Sequence, residues 1–240
     1  MVETPDAPLT TPYNERLFSG GGLRSFYHLA RFHWVRDKAK QCLGSGLRLI
    51  ELGCYDGRLL DMLGEQVSEY VGLDANWAGG LDLAREKYRG RDNVTLIEAM
   101  SPADFDRFPD QKFNAAAALE TLEHVPPELV GPFLDQLQRV TAGHLFVTVP
   151  NELGPVFLAK YLAKRMLYGD GQLYRPAEVV AAALRRSDKV ERDDHKGFDY
   201  RHVIAEVGKR FEILEVKGLA SLGLPPALAP TVGIFARSLR

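Results

Sequence analysis

The chain has 240 residues, of which 45% are hydrophobic and 26% charged, and this composition predicts one globular domain with a single sizeable core. The formal net charge of -2 provides no overall electrostatic attraction to nucleic acid, although a local basic patch could still exist. The two cysteines lack metal-type and disulfide-type spacing, and the sequence shows no signal-peptide pattern and no membrane-spanning run. These features predict a cytoplasmic protein.

The N-terminal region divides into a tail and a helix. Three prolines and few apolar residues predict a disordered tail over residues 1–12. The helical spacing of apolar residues over 25–41 predicts a helix, and the glycines within 44–46 end it. Residues 13–46 are therefore expected to form a helical cap that precedes the core.

From residue 47 onward, short apolar runs alternate with amphipathic segments. The runs LRLIEL, YVGLD, VTLIE, FNAAAAL and HLFVTVP predict five strands, and two more strands are expected near 211–216 and 232–236. Strands that alternate with helices form parallel sheets joined by helical crossovers. The predicted fold class is α/β, with a seven-stranded, mostly parallel, doubly wound, Rossmann-like sheet over residues 47–240.

The ends of the first two strands carry the pattern of a nucleotide site. The segment ELGCYDG, residues 51–57, places a glycine turn between a strand and a helix, where a ligand can approach the backbone. The second strand ends in Asp74, which can accept hydrogen bonds from two ribose hydroxyls or, alternatively, cap a helix. On the turn alone, a pyridine-dinucleotide enzyme is an alternative.

These residues resemble the class I S-adenosylmethionine-dependent methyltransferases over about residues 47–149. The resemblance implies that Glu51, Gly53 and Gly57 bracket the methionine end of the cofactor and that Asp74 binds its ribose. Tyr55 replaces the usual middle glycine, so the loop is expected either to follow a different path or to place the ring over the cofactor.

The third strand adds a second departure from this family. Met100 stands where many relatives carry an aspartate that binds the adenine amine. The resemblance implies that Met100 packs on the adenine face and that backbone groups provide the selectivity.

The segment ETLEHVP follows the fourth strand and concentrates acids beside a histidine. If Glu120 ends the strand and Glu123 and His124 begin a helical turn, the three side chains can converge. Two carboxylates and an imidazole suit magnesium or manganese better than zinc or copper. In the family, this strand end faces the methyl group, which implies that Glu120 also borders the cofactor. The alternative is that Glu123 caps the helix and His124 is structural.

A second histidine lies in RDDHKGFDYRHV, residues 192–203. Together with ETLEHVP, it resembles the small-RNA 3′-terminal 2′-O-methyltransferases, in which two glutamates and two histidines hold a divalent cation that grips both hydroxyls of a terminal ribose. The motif is also similar to that of ubiquinone-biosynthesis O-methyltransferases, whose acceptors are catechol-like. The resemblance implies a metal set of Glu120, Glu123, His124 and His195, with a hydroxyl of lowered pKa as the nucleophile. Alternatively, His195 is a solvated loop residue.

The segment of about 153–175 is a predicted insertion with a basic amphipathic helix. Lys160, Lys164 and Arg165 lie off one predicted helical face, which comprises Phe157, Leu158, Tyr161, Leu162 and Met166. The segment is interpreted as a lid over the acceptor, as a surface that docks on an anionic membrane, or as a helix on the core with snorkelling lysines.

The sequence as a whole predicts an S-adenosylmethionine-dependent O-methyltransferase. Its acceptor is expected to be a small-molecule hydroxyl of a sugar, a lipid-linked intermediate or a phenolic, held by magnesium or manganese. An RNA 3′ end is the alternative acceptor. The alternative mechanism is a metal-free N- or O-methyltransferase with His124 or His195 as the catalytic base. The alternative from a different functional class is a subunit that binds the cofactor without catalysing a reaction. Departure from the RNA enzymes at GFDYR, and the absence of an appended RNA-binding module, argue against RNA.

Overall fold

A computed structural model describes residues 23–168, 174–193, 195–221 and 223–239, so the predicted tail over 1–12 lies outside the described residues. Seven strands form one sheet: β1 (Leu47–Leu52), β2 (Val67–Asp74), β3 (Val94–Glu98), β4 (Phe113–Leu119), β5 (Thr141–Pro150), β6 (Phe211–Leu219) and β7 (Thr231–Ser238). The helices are α1 (Leu23–Cys42), α2 (Arg58–Leu63), α3 (Gly80–Lys87), α4 (Pro127–Val140), α5 (Gly154–Tyr168), α6 (Pro176–Ala183) and α7 (Tyr200–Gly208).

The strand order is β3-β2-β1-β4-β5-β7-β6, and β7 is antiparallel to both of its neighbours while the other pairs are parallel. The predicted α/β fold with a mostly parallel seven-stranded sheet is therefore confirmed. The order reverses between β1 and β4, which are neighbours although two strands separate them along the chain. In such sheets, ligands bind outside the carboxyl ends of the strands at this switch point.

Both faces of the sheet are covered by helices, because strands buried on two sides leave apolar side chains on each face. The predicted cap helix is present as α1, and it belongs to one of these cores. Phe32, Trp34 and Val35 are buried with strand residues, and the Trp34 and Phe146 rings lie 5.9 Å apart, edge to face. Helix α1 thus covers the sheet instead of forming a separate unit.

The predicted insertion of about 153–175 contains α5, which contacts the following helix α6 around a small buried cluster. Phe157 is buried there, and Tyr161 packs against it. Leu158, Leu162 and Met166 are instead 37%, 49% and 86% exposed. The face that these five residues share is therefore buried only in part, because α6 covers only its Phe157 side.

No helix among the described residues is long and apolar enough to cross a membrane. Docking of the exposed side of α5 on a membrane surface stays a prediction.

Candidate functional site

The turn after β1 brings the backbone to the carboxyl edge of the sheet. Gly53 donates its N–H to the Leu73 carbonyl over 2.7 Å, which ties the turn to β2. The backbone of Gly53 is left-handed, with φ at 76°, and a Cβ there would lie 2.2 Å from Oγ1 of Thr121. Only glycine therefore fits between the β1 turn and the loop that follows β4.

Tyr55 has a left-handed backbone conformation, with φ at 46°, in the region that favours glycine. The ring lies against the first residue of α3, where a Cβ on Gly80 would be 2.2 Å from Cδ2 of Tyr55. The two expectations for Tyr55, an altered path of the loop and a ring over the cofactor, both stay predictions.

Asp74 joins the two loops at this edge. Its Oδ2 accepts the Tyr55 N–H over 2.9 Å, and its Oδ1 accepts the Asn76 N–H over 2.8 Å. Burial raises the pKa of Asp74, and the backbone donors oppose that shift. Helix α3 is capped by Gly79, so Asp74 does not cap it. A carboxylate has about four acceptor sites, and the N–H groups of Tyr55, Asn76 and Trp77 do not use all of them, which leaves acceptor capacity for a ligand.

Glu51 is buried beneath the same turn, and it accepts a hydrogen bond of 2.5 Å from the Tyr70 hydroxyl. Burial raises the pKa of Glu51 to about 8, against the opposing effect of the Tyr70 bond. The nearby carboxylates of Asp56 and Asp74 raise it further. Glu51 is therefore mostly protonated at neutral pH.

Two apolar side chains are exposed on the loops after β2 and β3. Met100 is 73% exposed, and Trp77, three residues after Asp74, is 67% exposed. The strands that precede them are neighbours, since Asp74 pairs with Glu98. Trp77 was not among the site residues predicted from the sequence, although a tryptophan in a loop directly after the predicted ribose ligand is a usable signal. Either side chain can cover the face of a planar ring.

Three of the predicted metal ligands converge beside the end of β4. Glu123, His124 and His195 each offer one ligand atom, and these atoms all lie within 4.8 Å of one another. The two imidazole rings are 4.7 Å apart and nearly perpendicular. Ligands placed about 2.0–2.3 Å from one ion lie at most roughly 4.6 Å apart, so the group fits a divalent cation after a small adjustment.

Glu120 is not among the three residues of this group, so its place in the predicted metal set stays a prediction. The residue has a left-handed backbone with φ at 52°, and its N–H is held by the Thr148 carbonyl, so the chain turns at this point. Its carboxylate lies in the field of Arg31 and Lys160, with Glu152 nearby. Burial raises the pKa of Glu120, and the two cations oppose that shift.

Without Glu120, the donor set of this group has a different chemistry. One carboxylate and two imidazoles are softer than two carboxylates and two imidazoles. The described group therefore suits manganese, iron or zinc at least as well as magnesium.

Arg31 is a site residue that the sequence did not reveal. It lies on α1, where its guanidinium is 4.7 Å from the Phe32 ring centroid. Its positive charge lowers the pKa of both Glu51 and Glu120. The Arg31 Nε atom is buried and has no hydrogen-bond partner among the described residues. Helix α1 therefore brings a cation to the cleft between the ends of β1 and β4.

A pocket of about 350 Å³ adjoins the loops that carry the ligand group. Its lining includes Leu122 and Val125, which flank Glu123 and His124 in the sequence. It also includes Arg192 and Phe198, which lie three residues before and after His195 in the sequence. Its volume lies within the range of small-molecule sites.

Comparison with known proteins relates these features to a family. A family model described as a methyltransferase domain matches residues 26–187. The chain is 27% identical to the ubiquinone biosynthesis O-methyltransferase of Alkalilimnicola ehrlichii over 174 residues, which covers 68% of this chain and 69% of that protein.

Two solved structures share the fold at low identity. The N-methyltransferase NodS of Bradyrhizobium japonicum, in complex with S-adenosyl-L-homocysteine, has a TM-score of 0.60 at 10% identity over 95% of this chain and 92% of its own. The methyltransferase domain of a bacterial CtHen1 protein has a TM-score of 0.57 at 16% identity over 88% and 99% of the two chains.

Proposed function

Because this chain belongs to the methyltransferase-domain family and is a class I S-adenosylmethionine-dependent methyltransferase, we propose that it methylates a hydroxyl of a small molecule with a divalent cation as cofactor. The observation that carries the proposal is the convergence of Glu123, His124 and His195 beside the end of β4. The name of the Alkalilimnicola relative supports transfer to oxygen.

The three ligand residues would hold the cation and thereby fix where an acceptor binds. A divalent cation, when bound, supplies positive charge that favours the deprotonated form of a hydroxyl. An acceptor with two adjacent oxygens gains most from such a site, because two contacts fix its orientation as well as its position. A catechol or a vicinal diol is therefore the proposed acceptor chemistry.

The cofactor is proposed to lie along the ends of β1, β2 and β4. Asp74 has acceptor capacity for the ribose hydroxyls, and the carboxyl groups of Glu51, which loses its proton on binding, and Glu120 face the methionine ammonium. Arg31 is proposed to pair with the methionine carboxylate, since its buried Nε atom lies in the cleft that the two glutamates border. Trp77 and Met100 are proposed to cover the adenine ring.

A small-molecule acceptor is favoured over an RNA 3′ end by two features. The net charge of -2 gives no general attraction to a polyanion, and about half of the residues that line the pocket beside the ligand group are apolar. Lys160 of α5 acts on the pKa of Glu120, so the insertion lies close enough to border the acceptor, in keeping with its proposed role as a lid.

Removal of the metal separates this mechanism from one that uses a histidine base. We expect that dialysis against a chelator lowers methyl transfer to a catechol acceptor at least about tenfold, since the lost charge stabilisation is worth several kcal/mol. Manganese or magnesium should restore the rate. S-Adenosylmethionine affinity, measured by calorimetry on the same samples, should stay unchanged.

Full activity after chelation would contradict the proposal and favour His124 or His195 as a general base, because a base has no use for added metal. A monohydroxy phenol and an RNA oligonucleotide with a free 3′ end serve as comparison acceptors. Preference for the oligonucleotide would favour the RNA alternative.

Glu51 makes cofactor binding dependent on pH. Its pKa in the ligand-free protein is about 8, above the ordinary 4.5, so it is protonated below pH 8. A cationic cofactor beside it favours the carboxylate, and binding should then release a proton. Affinity is therefore expected to rise by up to about tenfold per pH unit toward pH 8 and to level off above it. Calorimetry from pH 6 to 9 measures this, and the slope should vanish in Glu51→Gln. An equal slope in that variant would contradict the assignment.

A further inference from the structure

We propose that Arg192 is a positioning residue that clamps together the two loops of the ligand group, and that the buried pair of Lys196 and Glu178 anchors this clamp to helix α6. The inference rests on the proposed cation site and extends it to residues that do not touch the cation. It concerns how Glu123 and His124, which follow β4, are kept beside His195, which lies far along the chain.

Arg192 contacts both loops through one planar group. Its Nη2 donates a hydrogen bond to the backbone carbonyl of Glu123, and its Nη1 donates to the carbonyl of Lys196 over 3.4 Å. The guanidinium lies 5.1 Å from the ring centroid of the buried Phe198, which fixes the plane of the group. The Arg192 side chain thus connects the backbone of Glu123 with the backbone of Lys196, which directly follows His195.

The His195 loop is itself a tight turn. Asp193 and Lys196 exchange two backbone hydrogen bonds of 3.1 and 2.8 Å, with His195 between them. Gly197 closes the turn in a left-handed conformation, with φ at 71°, and a Cβ there would lie 3.1 Å from the carbonyls of Val190 and Glu191. The position of His195 therefore follows the position of this turn as a unit.

Lys196 and Glu178 hold the other side of the turn. The Lys196 ammonium lies 3.0 Å from Oε1 of Glu178, and the two side chains are only 9% and 7% exposed. The Glu178 carboxylate also accepts the N–H groups of Arg175 over 2.7 Å and of Glu191 over 3.1 Å. The Arg175 N–H and the Lys196 ammonium hold the pKa of Glu178 at about 2, so the Glu178 carboxylate is ionised at neutral pH.

These contacts join α6 to the ligand group. A movement of α6, which carries Glu178, would displace Lys196 and thereby shift His195 relative to Glu123. Substitution of residues that contact metal ligands and orient them, without touching the ion, typically lowers metal affinity by about 10–100-fold. Arginine is suited to this role because its planar fork contacts two carbonyls at once, whereas lysine presents one point charge.

The test compares manganese affinity, measured by electron paramagnetic resonance, in the full-length wild type, Arg192→Lys, Arg192→Ala and Glu178→Gln. The exposed Arg186, replaced by lysine, is the matched control. We expect the dissociation constant for manganese to rise about 10–100-fold in Arg192→Ala, and by an intermediate factor in Arg192→Lys and Glu178→Gln. S-Adenosylmethionine affinity should change less than about twofold in each variant, since no cofactor residue is altered.

The outcomes distinguish the two levels of the proposal. If the wild type binds manganese and the Arg192 variants bind it equally well, the clamp is overturned while the cation site stands. If the wild type binds no divalent cation, both are overturned. Arg192→Lys keeps the charge and most of the volume, so it serves if Arg192→Ala does not fold. Loss of manganese and S-adenosylmethionine affinity together would show a general structural role and would also overturn the clamp.

Discussion

Glu123→Gln is expected to lower kcat about 100-fold or more and to abolish manganese binding, whereas Glu120→Gln should keep the manganese affinity of the wild type. The two glutamates lie three residues apart, and both substitutions replace a carboxylate by an amide of the same size. Only Glu123 belongs to the group whose ligand atoms lie within 4.8 Å of one another. Turnover and manganese titration of the two variants measure the difference.

Glu120→Gln should instead weaken cofactor binding, because Glu120 lies in the cleft with Arg31 and Lys160. Equal loss of manganese affinity in both variants would return Glu120 to the ligand set. His195→Ala provides an independent control, since it removes a ligand from the other loop and should reproduce the effect of Glu123→Gln.

Asp74→Ala is expected to weaken S-adenosylmethionine binding by about 1–3 kcal/mol, the cost of losing charged hydrogen bonds. This corresponds to roughly 5–150-fold in the dissociation constant. The carboxylate also accepts the N–H groups of Tyr55 and Asn76, so part of the effect comes from the loops that Asp74 joins. Calorimetry on the folded variant measures the total.

An analogue separates the two contributions. If Asp74 binds the ribose, the substitution should weaken S-adenosylhomocysteine far more than its 2′-deoxy analogue, which has already lost one of the contacts. The same fold-change for both ligands would show that Asp74 acts only through the loops. Asp74→Asn should give an intermediate loss, because it keeps the size of the side chain and one acceptor oxygen.

The sequence predicted the sheet, and the closeness of Asp74 to the turn after β1, because the signals for both are local. Each strand is a short apolar run, and parallel strands place their carboxyl ends at one edge. Asp74 and the turn at Gly53 therefore lie near each other, as expected, and the Asp74 carboxylate holds the N–H of Tyr55. The grouping of His195 with His124 could not come from periodicity and was expected only from a family resemblance.

The features that the sequence did not reveal depend on distant parts of the chain. The direction of Glu120 is set by a left-handed backbone held from β5 by Thr148, and no local pattern indicates that conformation. Arg31 lies on a helix whose neighbours appear only after folding, so its role in the cleft was not visible. The partial burial of the α5 face was not foreseen, because α6, which covers Phe157 and leaves Leu158 exposed, had not been predicted.

Anomalous diffraction from crystals grown with manganese and S-adenosylhomocysteine tests the central claim most directly. The proposal predicts one anomalous peak between Glu123, His124 and His195, about 2.0–2.3 Å from a ligand atom of each. Glu120 should stay outside the coordination sphere, facing Arg31. A cleft that holds S-adenosylhomocysteine but shows no peak at this group, at saturating manganese, would contradict the metal site.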